Sequence, residues 1–448
     1  MTDCMTRHPL LVDLYQLTMM QTYLDRDMTD SASFEFYVRE LPPSRRFLMA
    51  AGLENVIDFL SDLHFDGADL ENLQRIGFDN QRLLDYLADL RFAGDIEAMP
   101  EGSVFFANEP IFRLTAPLPV AQLLESRIIN LLHFSTLIAS KAIRIRLAAK
   151  DCQLIDFGMR RAHGAEAAML AARASYLAGF DGTATVLAGI NHGIPLFGTM
   201  AHSYVLAHEN EVSAFLDFAR SHPANALFLI DTYDTLQGAR KAVEAAKILQ
   251  KEGIVVRGVR LDSGDILSLS KKVRRILDEG GLPKAIILAS GNLDEYSIHH
   301  LISENAPIDG FGVGTRLDVS ADGPYLECAY KLQEYAGQPK SKYSPGKANL
   351  PGRKQVYRRY GDNGLMCGDT ITLADAGEKG DGLLQPIMQG GRLLNPLPSL
   401  ALIREYALRS IQHLPDELKE LSSIPMAYPV SISDSLSALM ANMAFSEK

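Results

Sequence analysis

Between about residues 150 and 320, short apolar runs recur, and each ends abruptly in polar or glycine positions. They fall at residues 154–158, 185–189, 196–202, 226–231, 259–262, 285–291 and 310–314. Near-continuous apolar runs of this length are the pattern of strands covered on both faces, as in a parallel sheet. Between them lie amphipathic stretches with glycine stops: residues 165–178 before Gly179, 236–251 before Gly253, and 267–279 before Gly280 and Gly281. Glycine just past the last periodic residue is the usual helix terminator. A fourth helix is predicted over 294–304, with Asn292 as its cap. Strand–helix alternation at roughly 30-residue intervals builds right-handed βαβ units. The resulting α/β fold, with about seven strands, is either doubly wound or closed into a barrel; both place functional residues at the strands' C-terminal ends. The step between the second and third strands is too short for a helix, so any barrel here is irregular.

The flanks read differently. Residues 1–120 mix predicted helices (10–24, 53–63) with short strands (33–38, 102–114) and make an N-terminal α+β domain. Residues 121–335 carry the barrel, and 336–448 form a loop-rich C-terminal segment expected to pack on the other two. Within it, residues 335–365 are rich in Gly, Pro, Lys and Tyr and read as a loop-dominated basic stretch, while from Ser410 onward short helices alternate with Pro-bearing turns.

Composition narrows the function. Of 448 residues, 47% are hydrophobic and 22% charged, which is ample for a core and rules out pervasive disorder. With 44 basic against 55 acidic residues the net charge is −11, against a nucleic-acid binder but compatible with a local basic pocket for a small anion. Cys4, Cys152, Cys328 and Cys367 lie far apart without CxxC spacing, so neither a zinc knuckle nor a disulfide framework is expected, and a reducing compartment is. Residues 182–208 lack Asp, Glu, Lys and Arg, but Asn191-His192-Gly193, Pro195 and Gly198 break the stretch into buried strands and loops rather than a membrane span. The first ten residues hold no apolar stretch of signal-peptide length. A cytoplasmic protein with neither membrane nor nucleic-acid partner is expected.

The chemistry-bearing residues sit at the ends of the runs. Phe157-Gly158-Met159-Arg160-Arg161 places two guanidinium groups after a glycine turn, suited to gripping a phosphate or carboxylate bidentately; a solvated arginine pair gives the same pattern. Phe157 suits stacking on a flat ring, or the core. His202 is a candidate base, ligand or phosphate acceptor, with a hydrogen-bonded core histidine as the plain alternative. Asp231, ending the next run, can hold one ring nitrogen and make the other nucleophilic. Arg260-Leu261-Asp262-Ser263-Gly264-Asp265 fits an anionic sugar, with Mg²⁺ on a carboxylate, or simply an ion-paired turn. Ser290-Gly291-Asn292 and Gly312-Val313-Gly314-Thr315-Arg316 are glycine turns before helices, suited to phosphate on backbone donors. Lys347 and Pro351-Gly352-Arg353-Lys354 put cations on a constrained loop, either solvated or folded over a pyrophosphate as a lid.

Taken in order, Asp13-Leu14-Tyr15-Gln16, Phe36-Tyr37-Val38-Arg39, the Phe157 to Arg161 turn, Gly198-Thr199-Met200-Ala201-His202-Ser203, Asp231-Thr232-Tyr233-Asp234, the Arg260 segment with Val259, and Pro351-Gly352-Arg353-Lys354 closely resemble the nicotinate phosphoribosyltransferase family. The resemblance spans residues from about 10 to 355 and is specific jointly rather than motif by motif. It implies a type II phosphoribosyltransferase: an N-terminal α+β domain on an irregular α/β barrel, working as a homodimer with shared active sites. It implies transfer of phosphoribosyl from phosphoribosyl pyrophosphate to nicotinate, with pyrophosphate released, ATP hydrolysed as co-substrate and Mg²⁺ as cofactor. By position, His202 is the histidine phosphorylated by ATP and Asp231 its orienting partner. Phe157 stacks on the pyridine ring, with Tyr15 reaching in from the neighbouring subunit. Arg160, Arg260 and the subunit-crossing Arg39 hold anionic groups. Asp262 faces the ribose or the metal, and Gly291 and Gly314 cradle the 5′-phosphate. Thr183, Ser203, Thr315 and Lys354 complete the substrate-binding set.

The residue types suit that chemistry. Displacing pyrophosphate at the ribose carbon builds positive charge on the sugar and negative charge on the leaving group, which fixed cations stabilise; the pyridine nitrogen needs no strong base. Relatives that use nicotinamide carry an aspartate in a Gly-Thr-Asp-Thr segment, where this chain has Gly182-Thr183-Ala184-Thr185. A carboxylate there would repel that of nicotinate, so Ala184 favours the acid over the amide. The rivals are a nicotinamide-using or ATP-uncoupled transferase and, more remotely, a metal-dependent barrel hydrolase. That hydrolase needs paired metal histidines at a strand end, whereas His299-His300 falls on a predicted helix.

Overall fold

The computed structural model describes residues 7–342, 349–421 and 427–446; Cys4 and Lys347 lie outside them. These residues form two compact units, one of residues 141–322 and the other of residues up to 140 together with those from 323 onward. The two ends of the chain therefore share a unit.

In the first, strands β1 (Gln153–Asp156), β2 (Gly182–Thr183), β3 (Leu227–Leu229), β4 (Gly258–Leu261), β5 (Ile286–Ala289) and β6 (Gly310–Val313) pair in the order β2-β1-β6-β5-β4-β3. All five pairings are parallel. Leu196 adds a further parallel bridge on Thr183. Read from Leu196 inward, the spatial order is a cyclic permutation of the chain order, which is the connectivity of a (β/α) barrel. The barrel expected from the sequence is present, and its irregularity has a location. The gap in the backbone ladder falls between the Leu196 segment and β3, where Asn225 Nδ2 donates to the Gly198 carbonyl at 2.7 Å.

Two strand assignments change. Residues 185–189 belong to a helix, Val186–His192, and His202 opens a short helix, His202–Leu206, instead of ending a strand. Nor are residues 182–208 uniformly buried: Val186, Leu187 and Ile190 are 61%, 49% and 70% exposed. An uncharged apolar run reads as buried strand, but here it turns as a helix whose apolar side faces outward. The glycines show why the chain folds so tightly. A Cβ on Gly182 would lie 2.4 Å from the Phe197 ring, and one on Gly189 2.5 Å from the Leu196 side chain.

The longer helices follow the sequence closely: Ala165–Leu177, Thr235–Lys251, Ile266–Glu279 and Glu295–Ser303. Asp234 and Asp265, both acids of the candidate motifs, are N-caps, accepting from the Gln237 and Ser268 N–H groups. Asp294, reciprocally bonded to Ser297, caps the fourth helix in place of Asn292. Asn292 instead sits at φ +53° and accepts from Arg316 Nε at 3.0 Å.

The second unit is built on a seven-stranded antiparallel sheet in which Ser31–Val38 lies between Cys328–Tyr335 and Pro110–Pro117. Glu35, 0% exposed on the central strand, stands opposite Arg113 and is within 2.8 Å of Lys354 Nζ. The stretch expected as a basic loop is partly strand: Lys354–Tyr360 pairs with Met366–Leu373. Its inward positions include Lys354 and Arg358, buried against Glu35 and Asp369, so charge hides the period-two pattern. The helix Glu125–Ala149 is long and apolar enough to cross a membrane, but 78% of its most apolar window is buried inside the protein, as in a core helix.

Candidate active site

The C-terminal ends of the barrel strands carry a connected set of polar side chains. Past β3, Asp231 Oδ2 accepts the Asp262 N–H at 2.9 Å and the Ser263 hydroxyl at 2.6 Å, tying the loops after β3 and β4 together. Its Oδ1 is buried without a hydrogen-bond partner. Asp262 accepts from the Ser290 hydroxyl past β5. Its other oxygen lies 3.7 Å from His202 Nε2. Gly291, at φ +95°, is where these loops meet, since a Cβ there would lie 2.0 Å from the Asp262 carbonyl oxygen.

His202 does not touch Asp231. Its Nδ1 lies 3.2 Å from the Thr232 hydroxyl and its Nε2 faces Asp262, so the orienting pair is Thr232 and Asp262. Asp231 acts one step away, by fixing the Asp262 backbone. The reason is geometric: a residue at a strand's end is held by the neighbouring strand's loop, and the next residue along reaches across the seam.

Arg260 joins this cluster to the Phe157 turn. Its Nη1 donates to Thr199 Oγ1 at 2.7 Å across the seam, and its guanidinium lies 6.0 Å from the Phe157 ring centroid, at the outer limit of a cation–π contact. Burial pulls the Arg260 guanidinium below its ordinary value, with Asp262 and Asp231 opposing and Arg160 adding to the fall. The Phe157 ring lies against Gly312, where a Cβ would be 2.4 Å away, and the Phe157 carbonyl oxygen would lie 2.9 Å from a Cβ on Gly314. These two glycines make room for the ring and its turn. Arg160 is exposed on that turn, Thr315 opens the helix Thr315–Asp318, and Ser203 is exposed in the first turn after His202.

The other expected positions belong to the second unit or have their polar atoms engaged within the fold. Thr183 is fully buried; its hydroxyl donates to Asp156 Oδ2 at 2.7 Å and accepts the Thr185 N–H at 3.0 Å, so it is spent within the fold. Ala184, beside it, is exposed. Tyr15, Arg39 and Lys354 belong to the other unit. Tyr15 is 47% exposed, and partial burial and Glu125 raise its phenol. Arg39 is half-buried just past the central strand. The Lys354 ammonium is buried on Glu35 and donates to the Leu350 and Gly352 carbonyls at 2.8 and 2.7 Å. Its donors are used inside the fold, which differs from a lid cation free to meet a pyrophosphate.

Sequence reasoning missed Thr232, Thr199, Asp156 and Asp318. The first two stand inside quoted motifs, but nothing in a motif says which hydroxyl faces which partner. Among the described residues, no group of three or more His, Cys, Asp or Glu side chains is arranged to hold a metal by itself.

Comparisons with known proteins cover most of the chain. Sequence models of the nicotinate phosphoribosyltransferase N-terminal domain, the nicotinate phosphoribosyltransferase family and its C-terminal domain match residues 10–133, 152–344 and 376–440. The chain is 47% identical to a nicotinate phosphoribosyltransferase of Mycobacterium tuberculosis over 97% of its own length and 93% of the relative's. It is 38% identical to that of Bacillus subtilis, covering 95% of this chain and 93% of the other. The crystal structure of human nicotinic acid phosphoribosyltransferase superposes with a TM-score of 0.87 at 29% identity, over 97% of this chain and 100% of that one. A seam-split barrel with its polar residues gathered at the strand ends, and matches over nearly the whole chain, lead to one conclusion: this protein belongs to the nicotinate phosphoribosyltransferase family.

Proposed function

We propose that this chain transfers phosphoribosyl from phosphoribosyl pyrophosphate to nicotinate, giving nicotinate mononucleotide and pyrophosphate, and couples the transfer to ATP hydrolysis through phosphorylation of His202. The observation that carries the reading is the gathering of His202, Asp262, Asp231, Arg260 and Phe157 at one end of the barrel, with Asp262 3.7 Å from His202, Asp231 bonded to the Asp262 backbone and Arg260 6.0 Å from the Phe157 ring, within a member of this family. The pyridine ring rests on Phe157, and its nitrogen attacks the ribose carbon while the carbon–oxygen bond to pyrophosphate breaks, the electron pair leaving on the pyrophosphate. Arg160 and Arg260 stabilise the negative charge of substrate and leaving group, the kind of fixed electrostatic contact that contributes most to such a step. The buried, unpartnered Asp231 oxygen and Asp262 suit Mg²⁺, which takes one or two carboxylates and draws its remaining oxygens from substrate phosphates. When bound, that ion neutralises charge on the pyrophosphate.

In the coupling step, the His202 nitrogen facing Thr232 takes the γ-phosphoryl group, ADP leaves, and water later releases phosphate. The exposed Tyr15 and the half-buried Arg39 act in the site of a neighbouring copy, making the working unit a homodimer. Ala184 leaves the ring pocket without a carboxylate and so admits the acid in preference to the amide. The test is turnover of purified protein with phosphoribosyl pyrophosphate and either nicotinate or nicotinamide, with and without ATP. Nicotinate should be preferred and ATP should stimulate. Equal use of both rings would defeat the Ala184 argument, and ATP stimulation surviving in His202→Ala would defeat the phosphohistidine.

A further inference from the structure

Beneath the turn that carries Phe157 and Arg160 lie two carboxyl groups that the reaction above does not use. Asp156, at the end of β1, is 1% exposed and fully engaged: Oδ1 accepts the Gly158 N–H at 2.8 Å and Oδ2 accepts the Thr183 hydroxyl at 2.7 Å. Asp318, ending the helix Thr315–Asp318, is 0% exposed, and both its oxygens are buried without a hydrogen-bond donor. It lies flat against Gly158, where a Cβ would be 2.1 Å from its Cγ and 2.3 Å from each oxygen. The charged side chains on the elements packed against it, Arg160, Arg161, Glu166 and Arg173, and Arg316 on its own helix, leave both oxygens without a donor.

An ionised carboxylate so placed would be an uncompensated buried charge beside a second one, the arrangement proteins avoid most strongly. Paired carboxyls resolve it by keeping one proton between them. Asp156 already has two donors that stabilise its ionised form, so the proton belongs on Asp318. Burial and the Asp156 charge indeed raise Asp318 well above the ordinary carboxylate range, while burial raises Asp156 and its hydrogen bonds to Thr183, Gly158 and Asp318 oppose that.

We propose that Asp318 is a positioning residue that works as a neutral acid, donating its proton to Asp156 and so fixing both walls of the ring pocket. One wall is the Phe157–Gly158 turn, held by Asp156 through the Gly158 N–H. The other is the Thr183–Thr185 segment, held through the Thr183 hydroxyl, which carries Ala184 between its ends. The inference rests on the nicotinate reading. A neutral Asp318 also keeps a second negative charge away from the pocket that receives the substrate carboxylate.

The test is steady-state kinetics of the intact enzyme carrying Asp318→Asn or Asp318→Ala. Asparagine keeps the size and offers an amide donor to Asp156, so KM for nicotinate should stay within about twofold of the parent. Alanine removes the donor and frees the turn, so KM for nicotinate should rise about tenfold while KM for phosphoribosyl pyrophosphate holds. Equal losses in the two variants would mean that the charge matters and would overturn the inference. So would no loss in either, or an equal rise in both KM values for Asp318→Ala. Should Asp318→Ala not fold, the infrared difference between the parent and Asp318→Asn at neutral pH decides: a protonated-carboxyl stretch in the parent supports the proposal and its absence overturns it. That spectrum needs no substrate, so a failure of the nicotinate reading would show separately, as a parent enzyme that does not turn over nicotinate.

Discussion

Replacing Thr232 by valine separates the two possible orienters of His202. The substitution keeps the branched shape and removes only the hydroxyl that lies 3.2 Å from Nδ1. In the resting site this hydroxyl shares a hydrogen bond with Nδ1; when the nitrogen bonds phosphorus, the hydroxyl is free to turn toward a phosphoryl oxygen. A net hydrogen bond of this kind contributes about 1–1.5 kcal/mol, which corresponds to roughly a tenfold rate effect. ATP stimulation in Thr232→Val should therefore fall about tenfold, and phosphoenzyme formed from γ-labelled ATP should fall with it, while turnover without ATP changes by less than about twofold. Thr232→Ser should restore both signals. Asp231→Asn should instead depress turnover with and without ATP alike, because Asp231 holds the Asp262 backbone and Ser263 rather than the imidazole. Full ATP stimulation in Thr232→Val, or a serine variant as poor as valine, would refute the assignment of Thr232 and return the role to Asp231.

Three further outcomes are expected. Lys354→Met leaves Glu35 buried with one fewer cation and should destabilise the protein by about 3 kcal/mol, read as a fall in melting temperature, with KM for phosphoribosyl pyrophosphate unchanged in the folded fraction; a selective rise in that KM would make Lys354 a substrate ligand after all. Gly291→Ala forces a side chain into φ +95° and to within 2.0 Å of the Asp262 carbonyl oxygen, so kcat/KM should drop by at least about tenfold and the backbone strain should lower the melting temperature with it. Tyr15→Ala, poor in turnover, and His202→Ala, without ATP stimulation, should regain part of the ATP-stimulated activity when mixed and refolded together, since a mixed dimer holds one intact site; absence of any recovery would count against shared sites.

The barrel was legible because its strands are buried on both faces. A run such as Ile286-Ile287-Leu288-Ala289 has no polar side to confuse the pattern, and the glycine or acid that follows marks where the strand meets the loop. The Val186–His192 helix was not legible for the converse reason. Its outward apolar residues give it no amphipathic contrast, so length and hydrophobicity resemble those of a strand. Lys354–Tyr360 failed differently again. Alternation is there, but two of its inward residues are cations neutralised by Glu35 and Asp369, which come from elsewhere in the chain and leave no local trace.

At the site the same division holds between position and partner. Asp231, Arg260 and Asp262 could be placed because strand ends in such a fold face one mouth, and His202 lies beside them although it opens a helix. Which atoms meet there depends on the seam, where backbone pairing stops between the Leu196 segment and β3. Asn225 to Gly198, Arg260 to Thr199 and His202 to Thr232 all span that break. On the proposed function, two of these three contacts use side chains that would also serve substrate or phosphoryl group, so chemistry on one side of the seam would change what holds it closed. A phosphoryl group on His202 would compete for the Thr232 hydroxyl, leaving Arg260–Thr199 and Asn225–Gly198 to hold the joint. On that reading the proposed ring site on Phe157 would sense the proposed coupling site through Arg260, which meets Thr199 on one side and the Phe157 ring on the other, with no rearrangement of the parallel ladder itself.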